Sequence, residues 1–138
     1  MHITEKDTDT IERIQLRATK LIPGLSDLTY PERLKELKLP TLSYRRLRGD
    51  MIEVFKIINH MYYYKTMNLL DRRDNSATRG NCKNLFKSRA RLDVRKYSFC
   101  HRVVDIWNSL PDNVINAETI FSFEKRLDIY WKNEKGIL

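Results

Sequence analysis

Apolar residues recur at intervals of three or four along the first part of the chain, at Ile11, Ile14, Ala18, Leu21 and Ile22, and the Pro23-Gly24 pair follows them. This spacing predicts a helix capped by Asp9 or Thr10, with one buried stripe, stopped at the proline and glycine. Thr29-Tyr30-Pro31-Glu32 has the spacing of a capping box with proline in the first turn. Leu34 and Leu37 follow, which predicts a short helix to about Lys38, closed by Leu39-Pro40. From Thr41 to about Tyr64 the longest unbroken helical pattern predicts a central rod. Leu47, Met51, Val54, Ile58 and Met61 repeat at four, three, four and three, with Tyr44 and Phe55 beside them. Gly49 lies inside that rod and costs about 1 kcal/mol against alanine. Close approach of another backbone, or a slight bend, would account for it.

Periodicity is lost between Asp71 and Arg91, where Arg, Lys, Asn, Ser, Thr and Gly dominate. The composition is that of a linker or adaptable binding loop, with short strands expected around 84–87 and 91–95. Helical spacing returns from about Ser98 to Ser109 through Phe99, Val103, Ile106 and Trp107, with Leu110-Pro111 as the stop. A final helix is expected from about Thr119 to Lys132, with Ile120, Phe123, Leu127, Tyr130 and Trp131 on one face. The fold class is therefore mainly α: a small domain of about five helices with an irregular basic loop or short β segment near 80–96. As one domain, 1–138 divides into a polar end (1–10), a helical part (11–70), a basic linker (71–97) and a C-terminal helical part (98–132).

Composition sharpens this picture. In 138 residues, 41% are hydrophobic, enough for a real core. Charge then points to a partner: 26 Lys and Arg against 18 Asp and Glu leave a net charge of +8, which favours an anionic partner. The excess is concentrated. From Arg72 to Arg102 there are ten Lys or Arg and two acids, Asp74 and Asp93. Arg79, Lys83, Lys87, Arg89, Arg91, Arg95 and Lys96 are the candidate phosphate-binding residues, because cations strung along a segment displace counterions from a nucleic-acid backbone whatever its sequence. Phe86, Tyr97 and Phe99 interleave with them and offer faces on which bases can stack. The competing reading is a charged loop that is merely solvated.

Candidate chemistry is thin. His2, His60 and His101 are scattered, neither HExxH nor CxxC occurs, and Cys100-His101 is a lone adjacent pair. No metal site, catalytic residue or cofactor is expected from these. The ten aspartates include no adjacent pair of the kind that holds two metals for phosphoryl transfer. Asp50, Asp93, Asp105 and Asp128 each lie beside or one turn from Arg or Lys, which suggests local pairing. Two cysteines make a poor disulfide framework, there is no Asn-x-Ser/Thr acceptor, and the start MHITEKDTDT has no signal-peptide core. No apolar run approaches the roughly 20 residues that span a bilayer. The expectation is an intracellular protein of the nucleus or cytoplasm, without membrane or small-molecule partners.

Four blocks carry a resemblance: YRRLRGD at Tyr44–Asp50, RLDVRK at Arg91–Lys96, WNSLP at Trp107–Pro111, and F-x-x-R-L-D-x-Y-W at Phe123–Trp131. Together, over Ile11 to Trp131, the chain resembles the region just beyond the polymerase core of jockey-like non-LTR retrotransposon reverse transcriptases. That family's palm aspartates, fingers, endonuclease and CCHC knuckle have no counterpart in this sequence. The resemblance implies the C-terminal part of an RNA-directed DNA polymerase that is itself unable to transfer nucleotides. It implies RNA or DNA backbone as partner, together with the polymerase core of the parent enzyme. Two other classes stay open: a helical interaction module using Tyr62, Tyr63 and Tyr64 or the face around Trp131, and a fragment without selected function.

Overall fold

The computed structural model describes residues 5–62, 70–71, 82–89, 91–92, 95 and 97–135. Among them are six helices: α1 (Glu5–Lys20), α2 (Tyr30–Glu36), α3 (Leu42–Ile58), α4 (Phe99–Asn108), α5 (Asp112–Ile115) and α6 (Ile120–Lys135). The fold class is mainly α. The short strand expected at 84–87 is not formed, a single bridge position at Leu85 being the whole of the β structure among the described residues, and positions 93 and 94 of the strand expected at 91–95 lie outside them. The chain divides into two compact units, Met1–Arg48 and Gly49–Ile137, with the boundary inside α3.

In the first unit the expected buried stripe of α1 is instead exposed: Ile11 is 40%, Ile14 63% and Leu21 83% accessible, while Thr19 is buried. The helix docks through its polar face. The Glu12 carboxylate accepts from the Tyr30 hydroxyl and from Ser43 N–H at 3.2 Å, and Gln15 Nε2 donates to the Pro40 carbonyl at 3.1 Å. Burial and the bond to Glu12 push the Tyr30 phenol above its ordinary pKa. Arg33, a surface cation by composition, is buried. Its guanidinium donates to Thr19 Oγ1 at 3.2 Å, the Leu28 carbonyl at 2.6 Å and the Leu16 carbonyl at 3.4 Å. A buried charge needs such partners, and carbonyls in the last turns of α1 also present the negative end of the helix dipole.

At the start of α2 the Glu32 carboxylate accepts from Thr29 N–H and from the Thr29 hydroxyl, both at 2.7 Å, so the expected capping pair forms. Those bonds hold the Glu32 carboxyl below its ordinary pKa.

Two helices stop on unexpected residues. Lys38 and His60 adopt left-handed φ of 54° and 55°. After Lys38, Leu39 N–H reaches back to the Leu34 carbonyl at 2.9 Å; after His60, Met61 N–H reaches Lys56 at 3.0 Å. These are Schellman closures. The second ends α3 at Ile58, short of the expected Tyr64; Tyr63 and Tyr64 lie outside the described residues. Likewise α1 starts at Glu5, ahead of the expected caps.

The second unit holds the apolar core. Met51, Val54, Phe55 and Ile58 of α3, Val103 and Trp107 of α4, and Phe123, Leu127 and Trp131 of α6 are all buried. Phe55 and Phe123 stack with centroids 4.4 Å apart, and Trp107 lies 5.8 Å from Phe123. Leu47 is half-buried. Gly49 is exposed and a Cβ built there would meet nothing within 4 Å, so close approach of another backbone does not account for this glycine. The four-residue α5, which follows the expected Leu110-Pro111 stop and was not itself expected, buries Val114 and Ile115 beside Ala117.

Candidate nucleic-acid interface

A strap of extended chain, Lys83 to Ser88, runs along α4 in the opposite direction. Four side chains of α4 hold it. The Trp107 indole donates to the Lys83 carbonyl at 3.0 Å. Asn108 grips the Leu85 backbone twice: its Oδ1 accepts from Leu85 N–H and its Nδ2 donates to the Leu85 carbonyl, both at 2.9 Å. Further along, Lys87 pairs with Asp105, and Ser88 Oγ lies 3.1 Å from His101 Nε2.

His101 is buried, and its other nitrogen, Nδ1, lies 3.4 Å from Ser98 Oγ. Because the Ser98 hydroxyl donates to the Arg95 carbonyl at 2.7 Å, it can only accept from the ring. The ring thus donates from Nδ1 to Ser98, and its Nε2 meets the Ser88 hydroxyl. The Ser88–His101 pair has the spacing of a hydroxyl and its base, yet the far nitrogen meets another hydroxyl where a catalytic arrangement would place a carboxylate. The cleft beside it, lined by Asp71, Leu85, Phe86, Ser88, Cys100 and His101 among others, measures about 30 Å³. That is room for one water. The pair pins the strap.

The structure sorts the sequence-derived cations into two sets. Lys83 Nζ donates inward, to Asn59 Oδ1 at 3.2 Å and to the Ile115 carbonyl at 3.5 Å, and Lys87 is held by Asp105. Both position the strap. Arg89, Arg91 and Arg95 are exposed and carry no ion pair among the described residues. Arg79 and Lys96 lie outside the described residues.

The aromatic residues divide the same way. Leu85 is buried at 1% and its neighbour Phe86 is 54% exposed. Phe99 is half-buried under the Arg102 guanidinium at 5.5 Å. Arg102 also forms a two-pronged pair with Asp50, Nε to Oδ2 at 2.9 Å and Nη2 to Oδ1 at 2.8 Å. The expected local pairing of Asp50 and Asp105 is therefore replaced by partners on distant segments. Sequence reading missed the strap contacts of Trp107, Asn108 and His101 altogether. WNSLP was visible as a block, but nothing in it showed that its Trp and Asn would bind a backbone 23 to 24 residues earlier.

No group of three or more His, Cys, Asp or Glu among the described residues is arranged to hold a metal ion. No described helix is long and apolar enough to cross a membrane. Comparison with protein-family models, curated proteins and solved structures finds no match to this chain.

Proposed function

We propose that this chain binds the backbone of RNA or DNA through the basic segment that follows the strap, as a non-catalytic C-terminal part of a retrotransposon reverse transcriptase. The observation that carries the reading is the division of labour among the cations. Lys83 and Lys87 are used internally to fix the strap, and Arg89, Arg91 and Arg95 emerge from it exposed and without carboxylate partners among the described residues. A solvated loop has no need of such anchoring, whereas a phosphate-binding segment gains from having its first residues held in place. In the parent enzyme the polymerase core would supply the chemistry, and the chain would act in the nucleus or cytoplasm.

The test is fluorescence anisotropy across a salt series. With three arginines on phosphate, replacing Arg89, Arg91 and Arg95 together by glutamine should flatten the slope of log affinity against log salt. The change should be about 2 on single strands and about 2.7 on duplex DNA. Affinity should fall alike on all sequences, since phosphate contacts carry no base information. Equal slopes for wild type and triple variant would refute the reading. The interaction-module reading would then lead, and the exposed stripe Ile11, Ile14 and Leu21 of α1 is the surface that favours it. The Trp131 face is not available to it, because that ring is buried.

A further inference from the structure

We infer that the Phe86 ring is a stacking platform for an unpaired base, which makes single-stranded nucleic acid the preferred ligand of the basic segment. This rests on the backbone-binding reading above and goes beyond it, because phosphate contacts alone do not distinguish paired from unpaired strands.

Two phenylalanine rings stay largely exposed, those of Phe121 and Phe86, and of the two only Phe86 lies in the basic segment. Phe86 is 54% exposed although the adjoining Leu85 is 1% exposed, and the difference is imposed by the strap. Asn108 holds both backbone groups of Leu85, and Phe86 N–H donates to the Asp71 carbonyl at 2.8 Å. With the register locked on both sides, the ring at 86 must point away from the core. It is therefore displayed on fixed backbone.

Its setting matches a single-strand site. Arg89 and Arg91 lie three and five residues on, exposed cations in the same segment as the aromatic face. Single-strand binding uses the same pairing of parts, with a charged track for phosphates and rings for the bases between them. In a duplex both faces of every base are already stacked, so the ring has nothing to add there. The cleft that Phe86 borders holds about 30 Å³, too little for a base edge. Contact is thus with the face of the base, and little sequence preference follows.

Affinity for oligo(dT), oligo(U) and a mixed-sequence duplex, measured at one salt concentration for wild type, Phe86→Ala, Phe86→Trp and the triple arginine variant, tests this. Phe86→Ala should weaken single-strand binding by about 5- to 150-fold. It should leave duplex affinity and the salt slope unchanged. Phe86→Trp should restore single-strand binding, with indole emission quenched on oligo(dT) and not on duplex. Equal losses on single strands and duplex, or no loss on either, would overturn the stacking role. If the triple variant still loses affinity in that case, backbone binding stands without it. Wild type that binds none of the three ligands would overturn both.

Discussion

Asn108 is the residue on which the strap's register most depends. Its amide oxygen accepts from Leu85 N–H and one N–H of its amide nitrogen donates to the Leu85 carbonyl, which fixes the residue whose side chain fills the core. Asn108→Ala leaves a backbone N–H and a carbonyl without partners at a part-buried site, at a cost of about 1–3 kcal/mol. The expected outcome is a lower denaturant midpoint with unchanged m value and faster hydrogen exchange at the Leu85 amide. Unchanged Leu85 exchange would show that the clamp does not hold the strap. Arg33 shows the same logic in the first unit, where a charge that composition places at the surface is instead the hub of a polar core.

At the scale of elements, α1 and α3 read alike in the sequence and behave oppositely. Both have apolar spacing of three and four, yet the stripe of α3 is buried and that of α1 is exposed. What holds α1 is its other face, through Glu12, Gln15 and Thr19. Replacing Ile14 and Leu21 together by glutamate should therefore change stability by no more than about 0.5 kcal/mol, as for surface sites. Arg33→Met should cost about 2 kcal/mol or more, because it strips partners from Thr19 and two backbone carbonyls. Thermal melts of the two variants check this. A large loss in the glutamate double variant would mean that the stripe is a core face after all.

For the molecule as a whole, the apolar core of the second unit is the main store of stability. Phe123, Leu127 and Trp131 repeat every four residues along α6, and Phe123 meets both Phe55 and Trp107. Phe123→Ala should destabilise by about 3–5 kcal/mol, through lost transfer energy and the cavity left behind. Equilibrium urea unfolding measures it. A loss under about 1 kcal/mol would mean that the aromatic cluster is not closely packed. The strap lies on α4, so this variant should also weaken nucleic-acid binding, whereas the exposed-arginine variants should leave unfolding unchanged.

By itself the sequence determined the helical class, the helices at Phe99–Asn108 and Ile120–Lys135 within a few residues, and the helical core positions Met51, Val54, Phe55, Ile58, Val103, Trp107, Phe123, Leu127 and Trp131, but not Leu85, Val114 or Ile115. Periodicity is local, and where a stripe is long and its partners are equally apolar, burial follows from it. Only tertiary structure decided which face of α1 docks, because a polar face with matched donors can compete with a modest apolar stripe. The end of α2 was legible to within two residues, whereas that of α3 was hidden, since helical spacing continues through Met61 past the left-handed turn at His60. The seven candidate cations were legible as a charge run, and their division into strap anchors and exposed arginines was not. Whether a lysine faces phosphate or a carbonyl depends on Asn59, Asp105 and Ile115, groups that the chain brings near only when it folds.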